Sequence, residues 1–188
     1  MELFDAIHTR QSNGNVSPDP VPRELIEKML AAAAQAPNHH KVRPWRFVVI
    51  SDAGRERLGD VFAQVLSKKK PDAPAEALTA ERGKALRSPV VIVVGVDKPS
   101  GPKVLEIENV CAAACATQNL LLAAHALGLA AKWRTGSVAL DPDVKAFCGF
   151  EPDQHLIGFI HVGYPLTEPA AMIRPGAEDR TVWITHSE

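Results

Sequence analysis

The chain is poor in the residues that staple small proteins together: 188 residues hold only three cysteines and one tyrosine. Cys111, Cys115 and Cys148 are odd in number and show no Cys-x-x-Cys spacing, so neither a disulfide framework nor a zinc knuckle is indicated. Cys111 and Cys115 stand four apart in an alanine-rich stretch, on one helix face, where small buried packing is the simplest reading. An excess of either charge is also missing. Lys and Arg total 21 against 22 Asp and Glu, which gives no electrostatic footprint for nucleic acid or an anionic membrane. The opening Met1-Glu2-Leu3-Phe4-Asp5 carries no basic leader, and no apolar run reaches the roughly 18 residues that cross a bilayer. A cytoplasmic protein without nucleic-acid or membrane partners is the expectation. The dinucleotide fingerprint Gly-x-Gly-x-x-Gly, the phosphate loop ending in Gly-Lys-Ser/Thr and the Gly-x-Ser-x-Gly elbow are all absent. If a phosphate binds, side chains must hold it, and with no conspicuous nucleophile the chemistry must come from a bound cofactor. Seven histidines are scattered, and the adjacent pair His39-His40 cannot point one way from an extended backbone, so no metal site is expected there.

What is present reads as one compact domain over residues 1–188. Leu3, Phe4 and Ile7 follow helical spacing, and a second helix starts near Pro22 and ends at Ala36-Pro37. Trp45 to Ile50 reads as a strand, after which Asp52 is placed to cap a helix toward Ser67. The stretch 68–79 opens with three lysines and two prolines and is expected to form a mobile surface loop, with a lid over the site as the functional alternative. Glu76 to Arg87 reads as helix, and Pro89 to Val96 as a strand covered on both faces. Glu106 to Leu127 is the longest helix, apolar nearly all round, which requires a large core or an interface. Leu129 to Arg134, the helix capped by Asp141-Pro142, and an alternating strand from His155 to Gly163 complete the pattern. A tail of about 165–188 follows, with Met172, Ile173, Val182, Trp183 and Ile184 but no room for a core of its own. It must lie on something else, and a partner subunit is the obvious support.

Four separated segments carry a resemblance. Arg10-Gln11-Ser12 closes the first helix. Ala36-Pro37-Asn38-His39-His40-Lys41-Val42-Arg43-Pro44-Trp45-Arg46-Phe47 follows the second. Gln118-Asn119-Leu120-Leu121-Leu122-Ala123-Ala124-His125-Ala126-Leu127-Gly128-Leu129 lies within the long helix, and Lys132-Trp133-Arg134-Thr135-Gly136 comes after it. Together they resemble the nitroreductase family over nearly the whole chain. The resemblance implies an α+β fold, a mixed and mainly antiparallel sheet flanked by helices, in an intertwined homodimer with FMN at the interface and NADH or NADPH as hydride donor.

The same resemblance assigns residues. Arg10, Gln11 and Ser12 stand where the family's Arg-x-Ser element holds the FMN phosphate and ribityl chain, and a guanidinium fork suits phosphate oxygens. An arginine ending a helix is otherwise an ordinary dipole partner. Gln35 is a further candidate contact with lost charge, and His39 stands in a loop that reaches the other subunit's flavin. Trp133, Arg134 and Thr135 belong to the turn that wraps the flavin, although a core role suits Trp133 equally. Ala123, Ala124, His125, Ala126, Leu127 and Gly128 lie near bound nicotinamide nucleotide. There are departures: Lys41 and Arg43 replace Asn and Gln, and Asn13-Gly14-Asn15 has no charge where many relatives carry Lys or Arg beside the flavin's pyrimidine edge. No side chain is marked as a catalytic acid or base. The implied activity is hydride transfer from NAD(P)H through flavin to a small acceptor such as a nitroaromatic or quinone-like compound. Dehalogenation, enone reduction, flavin breakdown, or a non-catalytic FMN-binding redox protein are the alternatives.

Overall fold

The run Val90–Val96 is apolar at every position because both of its faces are covered. In the computed structural model, which describes residues 1–185, four strands form one sheet. They are β1 (Trp45–Ser51), β2 (Val90–Val96), β3 (Ala130–Arg134) and β4 (Leu156–Gly163), in the order β1-β2-β4-β3. All three pairings are antiparallel, which sharpens the expectation of a mixed, mainly antiparallel sheet. Alternation along β2 divides the core in two. Val90, Ile92, Val94 and Val96 face a helical layer made by α2 (Arg23–Ala33) and α5 (Glu106–Ala126). Val91 and Val93 face a second layer made by α3 (Ala53–Lys69) and the short α6 (Pro142–Phe147). The architecture is therefore helix, sheet, helix. β4 is buried at nearly every position too, so the alternation expected there gives way to a strand covered on both sides.

α5 carries the chain's largest apolar commitment and explains its composition. Ala112, Ala113, Ala116, Leu120 and Ala124 pack inward, and small side chains let α2 approach with Ile26, Met29 and Ala33. Burying a side chain the size of Leu120 contributes about 1.5–3 kcal/mol. The opposite stripe of the helix is left open. Ile107 is 63% exposed, and Leu3 and Phe4 of α1 (Leu3–Thr9), a helix that packs on α5, are 63% and 72% exposed. Cys111 and Cys115 lie on this stripe, so their expected burial is not met within the chain; they face away from the sheet. Cys148 is buried between the sheet and α6, and loss of solvent pushes its thiol up to about 12.

Two local expectations are corrected. Asp52 precedes α3 but caps nothing: its φ of 47° turns the carboxylate away from the helix, and it accepts the Ser51 hydroxyl at 2.7 Å. The lysines opening 68–79 do not form a free lid. Lys68 and Lys69 finish α3 and pair with Asp143 at 2.5 Å and Asp141 at 2.6 Å, and Pro74 then leads into α4 (Ala75–Gly83). These contacts fix the segment to α6, on the sheet face away from α5. Asp141 caps α6 as expected, accepting the Asp143 N–H at 3.1 Å with Pro142 at the first helical position.

Beyond Gly163 the chain runs back along its own beginning. Val16 bridges Pro165, the Leu166 N–H donates to the Asn15 carbonyl at 3.0 Å, and Asn13 and Asn15 hold Thr167 at 3.1 Å each. From Gly176 to Thr185 every residue is exposed, including Trp183 at 83%. The expected tail continues to residue 188, and residues 186–188 lie outside the described residues.

Candidate functional site

α1 stops because Arg10 leaves helical geometry. Its N–H still reaches the Ala6 carbonyl at 3.1 Å, but its ψ of 126° turns the chain toward the edge of β3, where the Asn13 N–H donates to the Ala131 carbonyl at 3.1 Å. This turn opens a cleft of about 450 Å³ lined by Arg10, Gln11, His125, Gly128, Ala131 and Met172. That volume is in the range of small-molecule sites. The Arg10 guanidinium makes no hydrogen bond to the carbonyls of α1 among the described residues, so it does not act as their cap. A second guanidinium stands beside it. Arg174, from the returning tail, donates to the Arg10 carbonyl at 2.6 Å, and Gln11 donates to the Ala170 carbonyl at 2.8 Å. Burial, and then the charge of Arg174, pull Arg10 below the usual guanidinium value. Neither arginine pairs with a carboxylate among the described residues. Two adjacent cations without a counter-ion at a cleft suit a polyanionic group such as a phosphate.

Arg174 was invisible to motif reading because its position depends on a tail that folds back across 164 residues. Ser12 is exposed beside the cleft and does not line it. Of the segment Ala123–Gly128, His125 and Gly128 line the cleft, Ala126 is exposed, Ala123 and Leu127 are half-buried, and Ala124 is fully buried in the core. The His125 tautomer follows from its neighbour. The Thr9 hydroxyl gives its one proton to the Asp5 carbonyl at 2.6 Å, so it accepts from His125 Nε2 at 2.7 Å.

At the far end of β3 the three expected residues separate. Trp133 turns toward the α5 core, and its indole N–H donates to the Ile157 carbonyl at 3.0 Å. Gly158 makes this possible: its φ is 149°, and a β-carbon there would stand 2.5 Å from both Trp133 Nε1 and the Arg134 carbonyl oxygen. Arg134 points to the opposite face of the strand, and Thr135 is exposed ahead of Gly136, whose φ of 115° shapes the turn.

Gln35 and His39 are not at this cleft. Gln35 is exposed at the end of α2 and reaches only the Ala31 carbonyl, at 3.4 Å. His39 stands over the open stripe of α5, in a shallow hollow with Cys111 and Cys115, 3.8 Å from Glu108. The backbone between them is not extended: His40 has a φ of 53°, which brings its ring to 4.1 Å from that of His39. Among the described residues no three His, Cys, Asp or Glu side chains gather as a metal site. Among the described residues no helix is long and apolar enough to cross a membrane.

Comparison with known proteins identifies the family and the fold. The sequence model of the Nitroreductase family matches residues 7–164. YfhC of Bacillus subtilis, which carries the name of an NAD(P)H nitroreductase, is 30% identical over 179 residues, covering 95% of this chain and 92% of its own. A nitroreductase-like family protein from Bacillus cereus has the same fold, with a TM-score of 0.86 at 23% identity over 99% of this chain and 97% of its own. A nitroreductase from Desulfovibrio desulfuricans, solved in complex with FMN, aligns with a TM-score of 0.75 at 24% identity, covering 98% of this chain and 97% of its own.

Proposed function

The chain belongs to the nitroreductase family of oxidoreductases, and from that premise we propose that it binds FMN with its phosphate between Arg10 and Arg174 and catalyses NAD(P)H-dependent reduction of a small acceptor. The observation that carries this reading is the pair of adjacent guanidiniums, neither with a carboxylate among the described residues, one of them, Arg10, lining a cleft of suitable size. The residues fit the group. Arg10 and Arg174 would offer donors to phosphate oxygens, Gln11 in the cleft wall and Ser12 beside it would meet the ribityl chain, and Thr135, in the turn after β3, would supply a further hydroxyl. Bound FMN would supply the redox chemistry, taking hydride from NAD(P)H and passing electrons to a nitroaromatic or quinone-like compound. The protein positions both partners and excludes water. No side-chain acid or base is required, and His125, held by Thr9 in the cleft wall, is placed to orient the nucleotide.

Gln35 and His39 belong to this reading through a second copy of the chain. His39 lies away from its own cleft and over the open apolar stripe of α5, so a homodimer formed there would bring it, and with it Gln35 at the end of α2, to the partner's flavin. Leu105, Ile107, Leu3 and Phe4 would be covered in the same step, and the exposed tail ending in Val182, Trp183 and Ile184 would rest on the partner. The chain then acts as one domain, in the cytoplasm, without nucleic acid or membrane. The decisive experiment is to release the cofactor from the purified protein by heat and identify it by chromatography, then to follow anaerobic bleaching of the flavin with NADH and NADPH. Recovery of FMN and turnover with an acceptor panel of a nitroaromatic, a quinone, an enone and a halophenol support the reading. A colourless protein that refuses added FMN refutes it.

A further inference from the structure

The loop that joins α2 to β1 is held in a conformation that its residues do not favour. His40, Lys41 and Arg43 have φ of 53°, 56° and 51°, so three of four consecutive positions are left-handed and none of the three is glycine. Such backbone is costly for a residue with a β-carbon and persists where neighbouring groups fix it. Asn38 does much of the fixing: its side-chain oxygen accepts the Arg43 N–H at 2.8 Å, and its amide donates to the Ala36 carbonyl at 3.4 Å. The His40 ring stands edge-on to that of His39, and His39 is thereby presented to the open stripe of α5. Glu108 meets it there. It is the third residue of α5, in the first turn, where the helix dipole favours a carboxylate. Its two oxygens have different partners: Oε2 accepts the Leu105 N–H at 3.5 Å, and Oε1 lies 3.8 Å from His39 Nδ1. The Leu105 contact pins the carboxylate, so Oε1 stays aimed at the imidazole. A carboxylate only accepts, so the nitrogen turned toward it is the one that carries the proton, and in the neutral ring Nε2 is left as an acceptor.

Resting on the FMN and dimer reading above, we propose that Glu108 is a positioning residue for the partner's flavin. It holds His39 as the Nδ1–H tautomer and so presents Nε2 as an acceptor to a donor group of that flavin, a ribityl hydroxyl or the ring N3–H. The loop by itself does not make this choice, because an imidazole can carry its proton on either nitrogen and the His39 side chain is 58% exposed in the single chain. A second copy seated on α5 closes the hollow around His39, Ile107 and Cys111, and exclusion of water strengthens the Glu108–His39 contact. A separation of 3.8 Å belongs to a pair that tightens when its ligand arrives, as contacts in unliganded sites commonly do. The role differs from that of the phosphate clamp. Arg10 and Arg174 bind by charge, whereas Glu108 touches no part of the flavin and acts through His39 alone.

Fluorescence titration with oxidised FMN tests this in a double-variant cycle, on dimers confirmed by sedimentation at the titration concentration. Glu108→Ala is expected to weaken FMN about 3- to 10-fold, the size of one neutral hydrogen bond, and His39→Ala to do the same. In the His39→Ala background the further loss on Glu108→Ala should be under about twofold, since the carboxylate has nothing left to position. Glu108→Gln keeps an acceptor oxygen at the same reach and should restore most of the affinity. A second measurement needs no variant of Glu108. In imidazole nitrogen NMR spectra of the FMN-loaded protein, taken well above the pKa of histidine, the His39 ring should carry its proton on Nδ1, its signals being identified by their loss in His39→Ala. An equal loss on Glu108→Ala with and without His39, unchanged affinity, loss only through dissociation of the dimer, or a His39 ring protonated on Nε2 overturns this proposal while the FMN reading stands. A parent protein that binds no FMN overturns both.

Discussion

Arg10→Ala separates a phosphate contact from a helix cap, and the structure sets its size. Among the described residues the Arg10 guanidinium has no carboxylate partner and makes no hydrogen bond to the carbonyls of α1, and it stands beside Arg174. Its removal should leave the apoprotein's stability within about 0.5 kcal/mol of the parent, as for a surface substitution. Toward FMN the loss is that of a charge-assisted hydrogen bond, about 1.5–3 kcal/mol, or about 10- to 150-fold in Kd. Thermal stability reports the same quantity. With FMN at 100 times the parent's Kd, mass action stabilises the parent by about 2.7 kcal/mol. A variant binding fiftyfold more weakly gains only about 0.7 kcal/mol from the same solution. The difference of about 2 kcal/mol corresponds to an FMN-induced rise in Tm about 4–8 °C smaller, for a chain of this length. Arg174→Ala should behave alike, and the double variant should lose less than the sum because both side chains share one phosphate. The reasoning is refuted if Arg10→Ala lowers the Tm of the apoprotein by itself and leaves FMN affinity within about twofold.

Three further outcomes follow from other parts of the structure. Burial first, and then Arg134, Arg87 and Lys132, hold His161 down to about 4 from an ordinary 6.5, so the folded chain keeps it neutral while the unfolded chain takes up the proton. The stability this contributes, up to about 3 kcal/mol, is complete above the unfolded value and is lost as pH falls from there through the folded one. Denaturant melts across that interval should fall less steeply for His161→Gln than for the parent, and parallel slopes would contradict the assignment. Gly158→Ala drives a β-carbon to 2.5 Å from the Arg134 carbonyl at a φ of 149° and should cost at least about 2 kcal/mol by thermal melting; an unchanged Tm would mean that Trp133 does not pack over Gly158 as described. Ile107→Glu places a charge on the open stripe of α5 and should convert a dimer into a monomer in sedimentation at low micromolar concentration, a result that a flavin-loaded parent monomer would make meaningless as support for the dimer.

What could be read from the sequence was what repeats along the chain. β2 was legible as a doubly covered strand because every residue from Val90 to Val96 is apolar, and α5 was legible because alanine and leucine recur at all helical positions. The same signal could not say which side of α5 its own chain covers, and so Cys111 and Cys115 were assigned to packing that the described chain does not provide. Asp52 had the right residue type at a helix start, but a cap needs a backbone geometry that composition does not encode. The site itself divides in the same way. Arg10 was found through a local motif, whereas Arg174 reaches it only because the Asn13–Asn15 side and the Thr167–Ala170 side pair across the whole chain. Trp133, Arg134 and Thr135 were grouped because they are adjacent, yet adjacency in a strand sends neighbours to opposite faces. Trp133 enters the core and Arg134 joins Lys132 and Arg87 on the other side. Gly14 shows the reverse error. As a letter it is a missing charge, but in the fold it is a residue without a β-carbon at a place where one would stand 3.0 Å from Lys132 Cδ and 3.7 Å from Arg134 Nη2.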